Sequence, residues 1–187
     1  MSMKRVAVYC SSRADLPADV VAGAELIASS IGQAGGELVY GGVDAGLMHT
    51  VGRAARDAGA HVTGVVPEVF ASRADAVCHE LVEATDLNDR KGKMIDMADV
   101  FVVLPGGIGT IDEWISTLSH IMVMEKAEPD ADRPILVWNH EGMYDGEVRQ
   151  LAETSRSVYA RGKRVDRSLV FGSAHELAAH LRLLIEG

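Results

Sequence analysis

The chain has 187 residues, 48% of them hydrophobic, enough for one domain with a sizeable core. A formal net charge of −9 excludes an ordinary nucleic-acid-binding surface, which needs clustered Lys and Arg. There is no charged-then-apolar leader and no apolar run long enough to cross a bilayer. Cys10 and Cys78 make neither a metal-type pair nor a disulfide framework, so the expected location is the cytoplasm.

Strand-like and helix-like stretches alternate from end to end. Arg5 to Cys10 reads as a first strand, and a helix follows from Pro17 to Ala34, closed by Gly35-Gly36. Glu37 to Tyr40 is a second strand ending in Gly41-Gly42, and a helix spans Leu47 to Ala58. His61 to Pro67 is a strand, followed by an irregular segment and a short strand at Glu80 to Ala84. Asn88 to Ala98 is helical in pattern and leads into the apolar run Val100 to Leu104. After a further helix, Glu125 to Arg133 reads as an acidic surface loop around Pro129. Pro134 to Trp138 is another strand, Tyr144 to Tyr159 a helix, Leu169 to Phe171 a short strand, and Ala174 to Ile185 a closing helix. Apolar strands alternating with helices imply a single α/β domain, a parallel sheet with helices on both faces. Ligands of such sheets sit beyond the carboxyl ends of the strands. The turns there are Ser11-Ser12, Gly41-Gly42 and Gly106 to Thr110.

The last of these turns is the most informative. Strand, glycine-rich turn and helix start follow one another in Leu104-Pro105-Gly106-Gly107-Ile108-Gly109-Thr110. Glycines let backbone N–H groups approach a phosphate, and the helix end adds roughly half a positive charge. No Gly-Lys-Ser/Thr follows, so the loop is not of the Walker type, and the first strand lacks the glycines of a dinucleotide fingerprint. Glu113 has two readings. Thr110-Ile111-Asp112-Glu113 fits a capping box with Thr110 as N-cap. A carboxylate beside a phosphate would also repel the ligand unless it did chemistry. Both readings stay open at this point.

Taken together, Pro105-Gly106-Gly107-Ile108-Gly109-Thr110-Ile111-Asp112-Glu113, the upstream Arg90-Lys91, Tyr40-Gly41-Gly42 and Gly46-Leu47-Met48 resemble the motifs of the LONELY GUY (LOG) family. That family consists of cytokinin riboside 5′-monophosphate phosphoribohydrolases, often mislabelled lysine decarboxylases. The resemblance implies a Rossmann-like fold, a homodimer or larger oligomer, no organic cofactor, and hydrolysis of the N-glycosidic bond of an adenine-type nucleoside monophosphate. It implies Arg90 and Glu113 as the catalytic pair. Substrate contacts are implied for Ser12, Gly41, Gly42, Met48, Lys91, Gly106, Gly107, Ile108, Gly109, Thr110 and Ser119. The chain departs from the family pattern at Val43 and His49, which stand where the pattern has glycine, and at Leu87-Asn88, where it has Met-His.

Cleavage of an N-glycosidic bond passes through an oxocarbenium-like ribose, which a carboxylate can stabilise while orienting water. Arg90 is too basic to act as a general acid at pH 7 and suits charge stabilisation and positioning. None of the lysines sits on a pyridoxal-phosphate motif, and the seven histidines show no metal-ligand spacing, so neither cofactor nor metal is expected. The helix carrying Ile111, Trp114, Ile115, Leu118, Ile121 and Met122 is apolar on more than one side, which predicts a homodimer. A non-catalytic nucleotide carrier or sensor on the same sheet is the rival reading.

Overall fold

The computed structural model describes residues 3–124, 133–157 and 167–187. The strands are β1 (Arg5–Tyr9), β2 (Glu37–Tyr40), β3 (Val62–Pro67), β4 (Glu80–Ala84), β5 (Val100–Val103), β6 (Ile135–Trp138) and β7 (Leu169–Phe171). The helices are α1 (Ala18–Gln33), α2 (Gly46–Asp57), α3 (Leu87–Met97), α4 (Ile108–Met124), α5 (Asp145–Arg156) and α6 (Ala174–Glu186). The strands form one seven-stranded sheet in the order β4-β3-β2-β1-β5-β6-β7. Every pairing in it is parallel. The parallel sheet is the one that the alternation implied, and the fold is Rossmann-like, as the resemblance implied.

Alternate residues of each central strand feed two separate cores, which is why these strands read as unbroken apolar runs. Val6 and Val8 of β1, Val100 and Val102 of β5, and Leu136 and Trp138 of β6 pack under α1, α2 and α6. Ala7, Tyr9, Phe101, Val103, Ile135 and Val137 pack under α3, α4 and α5. Both layers are buried, so the backbone polar groups of the strands are satisfied within the sheet.

Strand order reverses between β1 and β5, since β1 leads leftward to β2 while β5 leads rightward to β6. The chain thus leaves β1 and β5 toward opposite edges of the sheet, and such a switch point is where open parallel sheets bind ligands. Arg133, expected at the end of a surface loop, is instead half-buried, donates to Ala98 O at 2.8 Å and lies over the Phe101 ring at 5.0 Å. The rest of the expected acidic loop and the expected helix end at Tyr159 lie outside the described residues.

Candidate active site

Three loops at the carboxyl edge of the sheet are tied to one another. Ser11 N donates to Pro105 O at 3.2 Å, joining the β1 and β5 loops, and Leu47 N donates to Arg13 O at 3.1 Å, joining the β1 loop to α2. The Tyr144 hydroxyl, buried under α5, donates to Leu104 O at 2.8 Å and so holds the glycine loop from below.

The glycine loop runs directly into α4. That helix starts at Ile108, and Ile111 N donates to Gly107 O at 3.1 Å. Thr110 is therefore inside the helix, buried against Gly106, whose missing side chain leaves room for the Thr110 hydroxyl and methyl. The expected capping box is absent for this reason. Every helix leaves its first N–H groups without intrahelical partners, and here Gly107, Ile108 and Gly109 are all exposed.

Glu113 lies one turn further on and is buried. Its partner comes from α3, where Asp86 caps the helix by accepting from Asn88 N and Asp89 N at 2.8 and 2.9 Å. That cap fixes the first turn from which Arg90 crosses to α4. Arg90 Nη2 donates to Glu113 Oε1 at 2.8 Å, and both side chains are about nine-tenths buried, 10% and 8% exposed. Burial raises the Glu113 carboxyl and the Arg90 charge pulls it back, leaving it at about 7 instead of its ordinary 4.5. A carboxyl poised there exchanges a proton readily near neutral pH. Arg90 Nε is buried and has no hydrogen-bond partner among the described residues. A buried donor left unpaired is costly, so this one calls for a partner beyond the side chains around it.

A family profile described as "possible lysine decarboxylase" matches residues 48–181. The chain is 33% identical over 153 residues to the cytokinin riboside 5′-monophosphate phosphoribohydrolase of Rhodococcoides fascians, covering 76% of this chain and 77% of that one. It is 32% identical over 167 residues to the enzyme of the same name from Mycobacterium marinum (strain ATCC BAA-535 / M), with coverage of 88% and 86%. The chain belongs to the LONELY GUY (LOG) family. It spans 57% of the rice relative, cytokinin riboside 5′-monophosphate phosphoribohydrolase LOG, at 32% identity over 145 residues and 76% of this chain. Among solved structures, the molybdenum cofactor binding protein of Rippkaea orientalis superposes with a TM-score of 0.75 at 15% identity, covering 99% of each chain, a likeness of fold alone.

Of the residues that the LOG resemblance marked, the structure brings Gly41, Met48, Arg90 and Glu113 together, with Gly106 and Gly107 on the adjoining loop and Thr110 in the first turn of α4. A Cβ on Gly41 would stand 2.5 Å from Arg90 Nη2 and 3.2 Å from Met48 Sδ. Gly42 turns the chain with a φ of 65°. Ile108 points its side chain to solvent, 83% exposed, and Ser12 is exposed on the β1 loop. Lys91 is half-buried, and its amine donates to Asp112 Oδ2 at 2.7 Å and Ser116 Oγ at 3.3 Å. Ser119 stands apart, about 9 Å further along α4 than Glu113 at 1.5 Å per residue. It lines an apolar groove with Ile115, Met122 and Leu151. On the other side of the glycine loop a cleft of about 420 Å³ is bounded by Ser11, Pro17, Pro105, Gly107 and Met143.

Sequence reasoning missed the side chains that brace this site. The Tyr9 hydroxyl bonds to Thr117 Oγ1 at 2.8 Å, and Thr117 donates to Glu113 O at 2.8 Å. Asp75 is 2% exposed and holds His49, one of the departures from the LOG pattern. Val43, another of the departures, forms a bridge to Ala74 in the same segment. Cys78 is half-buried and lies 3.3 Å from the Tyr40 hydroxyl. Among the described residues, two groups bring His and carboxylate atoms within 4.8 Å of one another: Asp44 with His49 and Asp75, and Asp19 with His140 and Glu141. In the first group both Asp75 oxygens already accept protein hydrogen bonds.

Proposed function

We propose that the protein hydrolyses the N-glycosidic bond of a purine nucleoside 5′-monophosphate, releasing the free base and ribose 5-phosphate. The observation that carries this reading is the buried Arg90–Glu113 pair one helical turn from a glycine-built helix start. A binding protein gains nothing from an ionisable carboxyl held at about 7 beside the seat of a phosphate.

In this reading the 5′-phosphate sits at the N-terminus of α4, where the exposed N–H groups and the helix dipole receive it. Its binding energy holds the ribose against Glu113. As the bond from C1′ to the base nitrogen breaks, the electron pair leaves with the base and positive charge spreads over the ribose. Ionised Glu113 stabilises that charge and takes a proton from the attacking water, whose oxygen bonds to C1′. The departing base gains a proton in turn. Arg90 orients Glu113 through Nη2 and offers its free Nε to the substrate. No organic cofactor or metal enters this scheme. The names of the LOG-family relatives, cytokinin riboside 5′-monophosphate phosphoribohydrolases, support the reaction class, and an N6-substituted adenine is the natural variant of the base. The working unit we propose is a homodimer formed through α4.

The test is release of free base from AMP and from an N6-substituted AMP, followed by chromatography. AMP that binds and stays intact would transfer the protein to the class of nucleotide carriers.

A further inference from the structure

We propose that Asp75 is a positioning residue that sets the place of Arg90 by gripping the Gly41 turn from both sides. Resting on the Arg90–Glu113 reading above, this assigns a role to a residue in an irregular segment far from either in sequence. Asp75 lies between the short 3₁₀ helix Glu68–Arg73 and β4. Its carboxylate accepts from the Tyr40 hydroxyl at 3.0 Å, from His49 Nδ1 at 3.1 and 3.2 Å, and from Val77 N at 3.1 Å. Its own N–H donates to Gly42 O at 2.8 Å. Tyr40 and Gly42 flank Gly41 in sequence, and His49 follows Met48, the other residue against the Arg90 side.

Gly41 is the wall on which the guanidinium rests. The space a Cβ would fill there is taken by Arg90 Nη2 and Cζ. Apart from that wall, the guanidinium makes one hydrogen bond among the described residues, to Glu113, and its Nε makes none there. A small shift of the Gly41 backbone therefore presses on Nη2 and displaces it relative to Glu113 inside a buried site. Displacements of about 1 Å in such sites reduce turnover on the order of a hundredfold. The Tyr40 phenol is driven up by burial first, with the neighbouring Cys78 and Asp75 adding to it, so it keeps its proton and stays a donor to Asp75. The arrangement is a buried, fully satisfied carboxylate whose partners all belong to the segment that cradles Arg90 or to its own loop.

A double-mutant cycle tests this on the full chain with AMP as substrate. Asp75→Asn keeps the shape but loses the charge and one acceptor. It is expected to lower kcat by about tenfold with KM changed by less than about twofold, and to cost less than about twofold more in an Arg90→Ala background. An equal loss in both backgrounds, or none in the wild-type background, overturns the proposal. If Asp75→Asn fails to fold, Tyr40→Phe removes one of the four grips and is expected to show the same non-additivity at smaller size. A second readout needs no turnover: the ¹⁵N–¹H signal of Arg90 Nε, assigned by its loss in Arg90→Lys. That signal shifts or broadens in Asp75→Asn, or in Tyr40→Phe, if Asp75 sets the guanidinium, and an unchanged signal refutes the role. Absence of hydrolysis by the wild-type protein would refute the proposed function while this signal still decides the positioning role.

Discussion

Gly41 and Arg90 occupy the same few ångströms: a Cβ on the glycine would stand 2.5 Å from the arginine Nη2. The two glycines of this turn thus serve different ends. Gly42 supplies a left-handed backbone, φ 65°, while Gly41 supplies absence of a side chain.

Gly41→Ala therefore forces the guanidinium off its wall. We expect turnover of AMP to fall by roughly a hundredfold. Gly92, on α3 two residues beyond Arg90, has open space where its Cβ would be. Gly92→Ala should leave turnover unchanged and raise stability by about 1 kcal/mol through helix propensity. Parallel kinetics and melting curves separate the two, and equal activity of the two variants would deny the contact any role.

The α4 start leads to a second expectation. Its exposed glycines and unpaired N–H groups favour an anion, so adenosine should be a much poorer substrate than AMP, by about a hundredfold or more in kcat/KM. Comparable rates on both would remove the phosphate from its assigned place.

The third concerns assembly. Trp114, Leu118 and Ile121 of α4 are buried against the sheet, whereas Ile115 is 38% and Val123 65% exposed. The exposed side borders the groove of about 330 Å³ that includes Met122 and Leu151. A homodimer through this face predicts that light scattering gives twice the chain mass at micromolar concentration. Ile115→Glu with Val123→Glu should halve it, since two charges cannot be buried there unpaired. A monomeric wild type would refute the dimer.

Much of this architecture was legible because it follows from local physics. Apolar runs of four to six residues between helical periodicities have few readings besides a doubly covered parallel sheet. The Arg90–Glu113 pair was accessible only through motif resemblance, since nothing in spacing says that residues 23 apart will meet. The capping box failed because Gly107, not Thr110, begins the turn, and Thr110 was needed instead to fill the hollow beside Gly106. Lys91 looked like a phosphate ligand, yet Asp112 and Ser116, one turn apart on α4, take its amine. Asp75 had no signal at all: an aspartate in an irregular stretch is ordinarily solvated, and its burial depends on Tyr40 and His49 arriving from other elements.

The last expectation turns on the proton of Glu113. Burial outweighs the attraction of Arg90 and holds the folded carboxyl at about 7, against 4.5 in an unperturbed chain. Below about pH 4.5 folded and unfolded chains both carry the proton. Between there and about pH 7 the folded protein keeps a proton that the unfolded chain has released, so rising pH removes stability across this window. Above it nothing more is lost. Glu113→Gln has no proton to release and retains an oxygen for Arg90. Its melting temperature relative to wild type should therefore climb from pH 4.5 to pH 7 and level off, leaving the variant the more stable at pH 8. Activity should move the other way. The ionised carboxylate is the form that stabilises a cationic ribose and takes the proton of water, so wild-type kcat/KM should rise with pH and flatten near 7. Glu113→Gln should lose roughly a hundredfold or more and show no such limb. A pH series of melting curves and of base release from AMP measures both. A variant that is less stable than wild type at pH 8, yet turns over AMP at a near-normal rate, would make Glu113 a structural partner of Arg90 and leave the proton transfer to another group.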